Sequence, residues 1–576
     1  RAGLPPGGAI PADRRRALGS PGMVCGLTKP RVGEEQALAA AWTGPLAVLL
    51  TLAVLAATGP GCRSQEAAAP PEEEAVDEVE PIPPDAAGVR DHGLNRSILG
   101  LWWGSGCPDF GACGCGGARD LTQEFTCQMD RLQTNDIPVS VYLFDGSAWS
   151  MKNSSVTNSC SGSDCCSWKL GDGVIQRLAR DRVRGLVHYW GGCHSPDQYQ
   201  RVQTRLGRNL LGFYLDDGSS DETLSNIAGF MRTAAPGNWE TIAKAYQNRE
   251  PSTTNAGLSA YANAAYVGDL PYDFAGMREG ITRVLAKVRY LPAPYNELTG
   301  YAYQNPGAPD EETYYRRLHF GAFQLVMAHT PYGNSDPWRP EYGPGLLNAY
   351  RYYAWLHKEL GPYFMSYAIR MHEEPARAVI RSGPSAYSMR IGHEIFVPFV
   401  TTATRTLDFR LPGGSWIDYW NEQRVVSGAI TAEPVPLGRE PVFLRMGSII
   451  PMDVQRDYTG HGTRESAGAL TVLVYPSGNS SFRYYEEITA TWTVFTSRLS
   501  GSSLTLTANP LPSTSILYRV GRFSRPTSVG GDGATVTVNQ SGDLPEVTSE
   551  SAVNASPTSA WFYDAAARRL IVKLAR

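Results

Sequence analysis

The sequence carries no excess of positive charge: 52 Lys and Arg face 56 Asp and Glu, a formal charge of −4. No global basic field therefore exists to draw in nucleic acid. Cysteine is scarce, 10 in 576 residues and none after Cys193, which excludes a small disulfide-stapled scaffold. Only one long hydrophobic run occurs, Ala37 to Ala57, so a polytopic membrane protein is excluded too. What is present is aromatic and loop-forming: 29 Tyr, 13 Trp, 59 Gly and 41 Pro. Such a composition favours a loop-rich globular chain, and the length suits roughly three to four domains.

The single apolar run has the flanks of an export signal. Residues 1–22 precede Met23 and are set aside; Lys29 and Arg31 then lead into Ala37–Ala57, followed by Gly59-Pro60-Gly61-Cys62. Charged, apolar, then small residues is the order of a signal segment. A spanning anchor is the alternative, because the run approaches spanning length. Cys62 after small residues resembles a bacterial lipoprotein signal and is the expected lipidation site, giving a possible membrane tether. Residues 63–92 are acidic and Pro/Ala-rich, too poor in large apolar side chains to fold, and read as a disordered tether. The product is expected outside the cytoplasm: extracellular, periplasmic or surface-tethered.

The remaining cysteines agree with export. Cys107, Cys113, Cys115, Cys127, Cys160, Cys165, Cys166 and Cys193 form an even set in Gly/Ser-rich segments, as disulfides that staple loops would. Zinc is disfavoured, because Cys113-Gly114-Cys115 and Cys165-Cys166 lack knuckle spacing. No metal and no cofactor is expected.

From residue 97 onward, short unalternating apolar runs recur: Ile98 to Trp103, Val139 to Asp145, Gly185 to Trp190, Leu211 to Asp216, Ala264 to Asp269, Val284 to Leu291 and Phe323 to His329. Runs of this kind are parallel strands covered on both faces. Amphipathic segments such as Asp172–Arg182 and Met277–Leu285 lie between them. The fold class is thus α/β, a (β/α)8 TIM barrel over residues 93–376, with the fifth strand somewhere in 240–262. Thereafter Thr/Ser/Val-rich strands between Gly and Pro turns predict one or two all-β sandwich domains, a proximal one over 377–460 and a distal one over 461–576.

Polar and aromatic residues cluster where the barrel strands end. In a barrel those ends form the active-site face. Asp216 closes Gly212-Phe213-Tyr214-Leu215-Asp216, and Asp269 closes Tyr266-Val267-Gly268-Asp269. Two carboxyl groups across one mouth are what glycoside hydrolysis requires, one attacking the sugar carbon and the other protonating the departing oxygen. Each acid alone could equally cap a helix or pair in a loop. Trp102, Trp103, Trp149 and Trp190, at or just after strand ends, offer flat faces for a pyranose ring, or ordinary packing.

These segments together resemble glycoside hydrolase family 31, the α-glucosidase and α-xylosidase family of retaining enzymes. The likeness runs in order over roughly residues 96–455: Ile137 to Asp145, Gly212 to Asp216, Val267-Gly268-Asp269, Ala328-His329, Asp336-Pro337-Trp338, Gly361-Pro362-Tyr363, Leu411 to Trp420 and Pro441 to Pro451. It implies Asp216 as nucleophile, with adjacent Asp217 the lesser candidate, and Asp269 as acid/base. It further implies Asp145 and His329 as ligands of sugar hydroxyls, and Glu297 in place of an Asp that lines the pocket. Trp103, Trp149 and Trp190 complete the expected substrate contacts.

Departures from the family pattern bear on specificity. No large β-sandwich precedes the barrel in this sequence. Thr253 and Tyr261 stand where two Arg are usual, and Gly218-Ser219 replaces Asn-Glu. The resemblance implies an exported retaining α-glycosidase acting on an oligosaccharide or glycoside through a glycosyl-enzyme intermediate. A transglycosylase, or a non-catalytic carbohydrate-binding protein on the same barrel, are the alternatives.

Overall fold

The computed structural model describes residues 96–104, 121–144, 171–189, 202–215, 240–244, 264–268, 270–288, 293–298, 310–331, 335–373 and 378–576. The expected signal and tether (1–62 and 63–92), with Cys62, lie outside the described residues.

Eight parallel strands make the first layer: β1 (Leu101–Gly104), β2 (Val141–Phe144), β3 (Arg184–Tyr189), β4 (Leu210–Leu215), β5 (Glu240–Lys244), β6 (Ala264–Tyr266), β7 (Ala293–Tyr295) and β8 (Met327–His329). Each pairs with the next up to β7, and β1 also pairs with β8. The β7–β8 seam is bridged by the Leu298 N–H, which donates to the Ala328 carbonyl at 2.9 Å. The sheet thus closes into a barrel, and closure leaves no strand edge open.

Around it lie α1 (Leu121–Thr134), α2 (Asp172–Asp181), α3 (Phe274–Lys287), α4 (Glu311–Ala322), α5 (Pro344–Glu359) and α6 (Gly361–Glu373). The Asp273 and Asp310 carboxylates cap α3 and α4, accepting from the Gly276 and Thr313 N–H groups, which satisfies donors a helix start otherwise leaves open. The expected fifth strand is β5. The expected strand Val284–Leu291 is a correction: Val284 to Lys287 are helical, and the strand starts at Ala293. Met277, Ile281, Val284 and Val288 are all buried, a spacing of three to four residues that continues one helix face.

Mostly antiparallel β modules follow, with one parallel pair between Leu470–Val474 and Ile516–Val520. A six-stranded sheet and a two-stranded ribbon occupy residues 380–445, around Phe396, Phe409, Leu411, Trp416 and Phe443. Two five-stranded sheets occupy 449–574. The strand Ile449–Met452 pairs with Leu470–Val474, so sheet pairing passes from one sandwich to the next between residues 445 and 449, upstream of 460.

Barrel and first sandwich are joined through a buried ion pair. Arg316 on α4 meets Glu440 at 3.2 Å with both side chains fully buried. Arg316 also donates to the Thr404 and Val435 carbonyls, and the Tyr353 hydroxyl of α5 donates to Glu440 at 2.8 Å. Glu359 at the end of α5 accepts the Gln455 and Arg456 N–H groups at 2.7 and 2.9 Å.

Candidate active site

All eight strands run the same way, so their carboxyl ends share one face of the barrel. β4 ends at Leu215, one residue before Asp216 in the sequence, and β6 with Val267-Gly268 ends one residue before Asp269. Only β5 separates these strands. Neighbouring strands lie about 4.8 Å apart, so the two backbones stand roughly 10 Å apart at the rim. β2 and β3 likewise end immediately before Asp145 and Trp190. Asp145, Trp149, Trp190, Asp216 and Asp269 themselves lie outside the described residues.

Glu297, Trp103 and His329 are described, and alternation along the strands sorts them. Trp102 and Tyr295 rings lie 5.2 Å apart although β8 separates their strands. Their contact therefore crosses the barrel interior, past Ala328, the register partner of Trp102. Tyr266 joins them at 5.6 Å. One residue on, side chains face the opposite way. Trp103 and His329 pack at 4.5 Å, His329 Nδ1 lies 2.8 Å from the Tyr350 hydroxyl of α5, and Trp103 stacks on Trp338 at 5.3 Å. Sequence reading puts Trp103 and His329 on the sugar; the structure turns both toward the helical layer. Burial holds the His329 imidazole down to about 3, so it is neutral at physiological pH. Its Nε2 lies 3.3 Å from the Ser335 hydroxyl.

Glu297 and Thr330 share the register of Tyr295 and Ala328, two residues further toward the mouth. The Thr330 hydroxyl donates to Glu297 Oε1 at 2.8 Å, and both side chains are buried. Thr330 is a residue that sequence reasoning missed. The only signal for it is alternation, since it sits two residues past Ala328. Gly104, at the end of β1, allows this packing, because a Cβ there would meet Thr330 Oγ1 at 2.5 Å. Beside His329, both Asp336 carboxyl oxygens and the Trp103 and Trp338 indole nitrogens are buried without a hydrogen-bond partner among the described residues. Burial pushes the Asp336 carboxyl up to about 7, so a large share of it holds a proton near neutrality.

Beneath the β6 and β7 ends lies a buried cation, Arg317 of α4. It donates to Asn296 Oδ1 and the Glu297 carbonyl at 3.0 Å each, to the Pro271 carbonyl at 3.1 Å, and to the Leu298 carbonyl. Asn296 donates in turn to the Gly268 carbonyl at 3.4 Å.

Comparison with known proteins adds sequence evidence to this geometry. Residues 381–450 match the family model described as the glycosyl hydrolase family 31 C-terminal domain. The resemblance is to glycoside hydrolase family 31. A 1,6-alpha-glucosyltransferase of Sporosarcina globispora is 24% identical over 344 residues, which cover 53% of this chain and 26% of that protein. A 1,3-alpha-isomaltosidase of Kribbella flavida is 27% identical over 166 residues, 24% of this chain and 22% of that protein. The likeness in fold extends to solved structures. A cycloalternan-forming enzyme of Listeria monocytogenes, in complex with a pentasaccharide substrate, superposes with a TM-score of 0.65 at 16% identity, over 84% of this chain and 54% of that one. A family 31 dextranase of Flavobacterium johnsoniae, complexed with glucose, gives 0.65 at 18% identity, over 84% and 70%. The chain spans about a quarter of the length of the curated relatives it matches, and about half that of the Listeria enzyme.

Proposed function

We propose that this chain is a retaining α-glycosidase acting on α-linked gluco-oligosaccharides, with Asp216 as nucleophile and Asp269 as acid/base. The observation that supports the reading is that β4 and β6, parallel and one strand apart in a closed barrel, lead at their carboxyl ends into positions 216 and 269 of the sequence. In the first step the Asp216 carboxylate bonds to the anomeric carbon as the carbon–oxygen bond breaks. The electron pair stays on the departing oxygen, which takes the proton of Asp269. Water deprotonated by Asp269 then releases the sugar with its configuration retained.

Substrate class follows the names of the relatives, which include a 1,6-alpha-glucosyltransferase, an isomaltosyltransferase, an isomaltosidase and a dextranase. Those names also favour a second reading, in which a sugar hydroxyl takes the place of water and the enzyme is a transglycosylase. We propose an oxidising compartment as well. Cys127 on α1 is disulfide-bonded, which supports export. Lipidation of Cys62 would tether the enzyme to a membrane.

The test is a panel of α-1,3, α-1,4 and α-1,6 gluco-disaccharides and aryl α-glycosides, with products followed by NMR. Turnover with α-configured first products, abolished by Asp216→Ala, supports the reading. Sugar binding without turnover in the wild type would mean a non-catalytic binding protein. Transfer products at low acceptor concentration would mark the transglycosylase.

A further inference from the structure

We propose that Arg317 is the positioning residue of the proton donor: with Asn296 it holds the backbone on both sides of Asp269 and so aims that side chain at the departing oxygen. The inference rests on Asp269 being the acid/base and deepens that assignment.

Arg317 is 1% exposed. Its guanidinium reaches two segments at once, residues 271–273 and residues 296–298. Nη1 donates to the Pro271 carbonyl at 3.1 Å and the Asp273 carbonyl at 3.5 Å, Nη2 to Asn296 Oδ1 and the Glu297 carbonyl at 3.0 Å each, and Nε to the Leu298 carbonyl. All five N–H donors of the fork are thereby directed at oxygen. Asn296 extends the clamp to the Gly268 carbonyl, while its own backbone N–H donates to Gln324 Oε1 at 2.7 Å and its carbonyl accepts from Gln324 Nε2 at 3.0 Å. The chain is therefore held at residue 268 and again at 271 and 273, and Asp269 lies between those anchors. Consecutive Cα atoms are 3.8 Å apart, so the anchored positions 268 and 271 are separated by only three such steps.

Two glycines fit this purpose. Gly268 has φ of 115°, a conformation other residues rarely adopt, and it turns the chain just ahead of Asp269. On α3, a Cβ at Gly280 would stand 2.8 Å from Asn296 Oδ1, displacing the side chain that reaches Gly268.

Packing alone does not call for a cation here. Among the described residues no carboxylate lies within ion-pair distance of Arg317, and burial pushes its guanidinium down to about 10. It stays charged at neutral pH, its desolvation offset by hydrogen bonds to carbonyl and amide oxygens and by the more distant charges of Asp273 and Glu297. An apolar residue of similar volume would fill the space without that penalty. What it could not do is hydrogen-bond five oxygens from two segments at once. A general acid needs that precision, because it must lie within about 2.6–3.2 Å of the oxygen it protonates, and a 1 Å misplacement costs on the order of 100-fold.

Leaving-group dependence separates positioning from general stability. A nitrophenolate departs without protonation, whereas a sugar alkoxide does not. The experiment compares kcat/KM for an α-linked gluco-disaccharide and for 4-nitrophenyl α-glucoside in wild type, Asp269→Ala, Arg317→Met, Arg317→Lys and Gly280→Ala. Amide hydrogen exchange is followed across residues 264–276 in the same proteins. Expected for Arg317→Met is a loss of about 100-fold on the disaccharide with under about 5-fold on the aryl glycoside, and faster exchange at 267–273. Arg317→Lys and Gly280→Ala should move the same way, less far, and they carry the test if Arg317→Met does not fold. Equal losses on both substrates, or no loss, in folded variants would overturn the proposal. If Asp269→Ala fails to discriminate between the substrates, the acid/base assignment itself is wrong, and the positioning role falls with it. Exchange that still quickens in Arg317→Met would then show a clamp without that catalytic purpose.

Discussion

Glu124→Gln gives a direct handle on the packing of α1 against the barrel. Glu124 is fully buried, and neither carboxylate oxygen has a hydrogen-bond partner among the described residues. Beneath α1, Phe125 packs edge-on to Tyr142 of β2 at 4.7 Å. Burial pushes the Glu124 carboxyl up from 4.5 to about 8. A carboxyl whose folded pKa is raised stabilises the fold fully below its unfolded pKa, and that stability is lost as pH rises through the folded value. At about 1.4 kcal/mol per unit, the 3.5-unit gap between 4.5 and 8 is worth about 5 kcal/mol. Gln keeps the shape and cannot ionise. Urea unfolding of wild type and variant from pH 4 to 9 should therefore give equal stabilities near pH 4. The variant should draw ahead from about pH 5 and lead by several kcal/mol above pH 8. The Tyr142 hydroxyl, held well above 10 by burial, does not titrate in that window. Parallel stability curves across the whole range would refute the reasoning.

Removing one partner of the buried Arg316–Glu440 pair, as in Arg316→Met, should cost about 3–5 kcal/mol, because the remaining charge stays buried; a loss under 1 kcal/mol in urea unfolding would contradict this. Thr330→Val removes the hydroxyl donated to Glu297 and should lower kcat/KM by about 10-fold or more, with the melting temperature nearly unchanged. An unaltered kcat/KM would take the Glu297–Thr330 pair out of the site. Tyr350→Phe removes the group facing His329 Nδ1. It should lower stability by about 1 kcal/mol and leave KM as it was; a large rise in KM would place His329 on the sugar after all.

The barrel was legible because strands covered on both faces read as unbroken apolar runs, as in Val141-Tyr142-Leu143-Phe144 and Gly212-Phe213-Tyr214-Leu215. Strand β5 was not, since Glu240-Thr241-Ile242-Ala243-Lys244 has one large apolar residue. Val284 misled for a different reason: a β-branched residue on the buried stripe of α3 looks locally like the start of a strand, and only the spacing back to Met277 and Ile281 shows the helix. Trp103 and His329 lie at strand ends as expected, but in a strand the side-chain direction reverses at every residue. Which of Trp102 and Trp103 looks inward depends on barrel register, which non-local pairing sets. The clamp under the mouth was invisible for the same reason, because Arg317 and Asn296 meet the Gly268–Asp273 loop only through tertiary packing. Pro441 to Pro451 reads as one motif in the sequence, while Ile449–Met452 within it finds its sheet partner some twenty residues later.

The most direct test of the central claim is chemical rescue of Asp216→Gly with sodium azide on an aryl α-glucoside. If Asp216 attacks the anomeric carbon, azide restores turnover and the product is the β-glucosyl azide, inverted relative to the substrate. Wild-type activity that survives in Asp216→Gly without azide, or rescue that gives no glycosyl azide, would contradict the account.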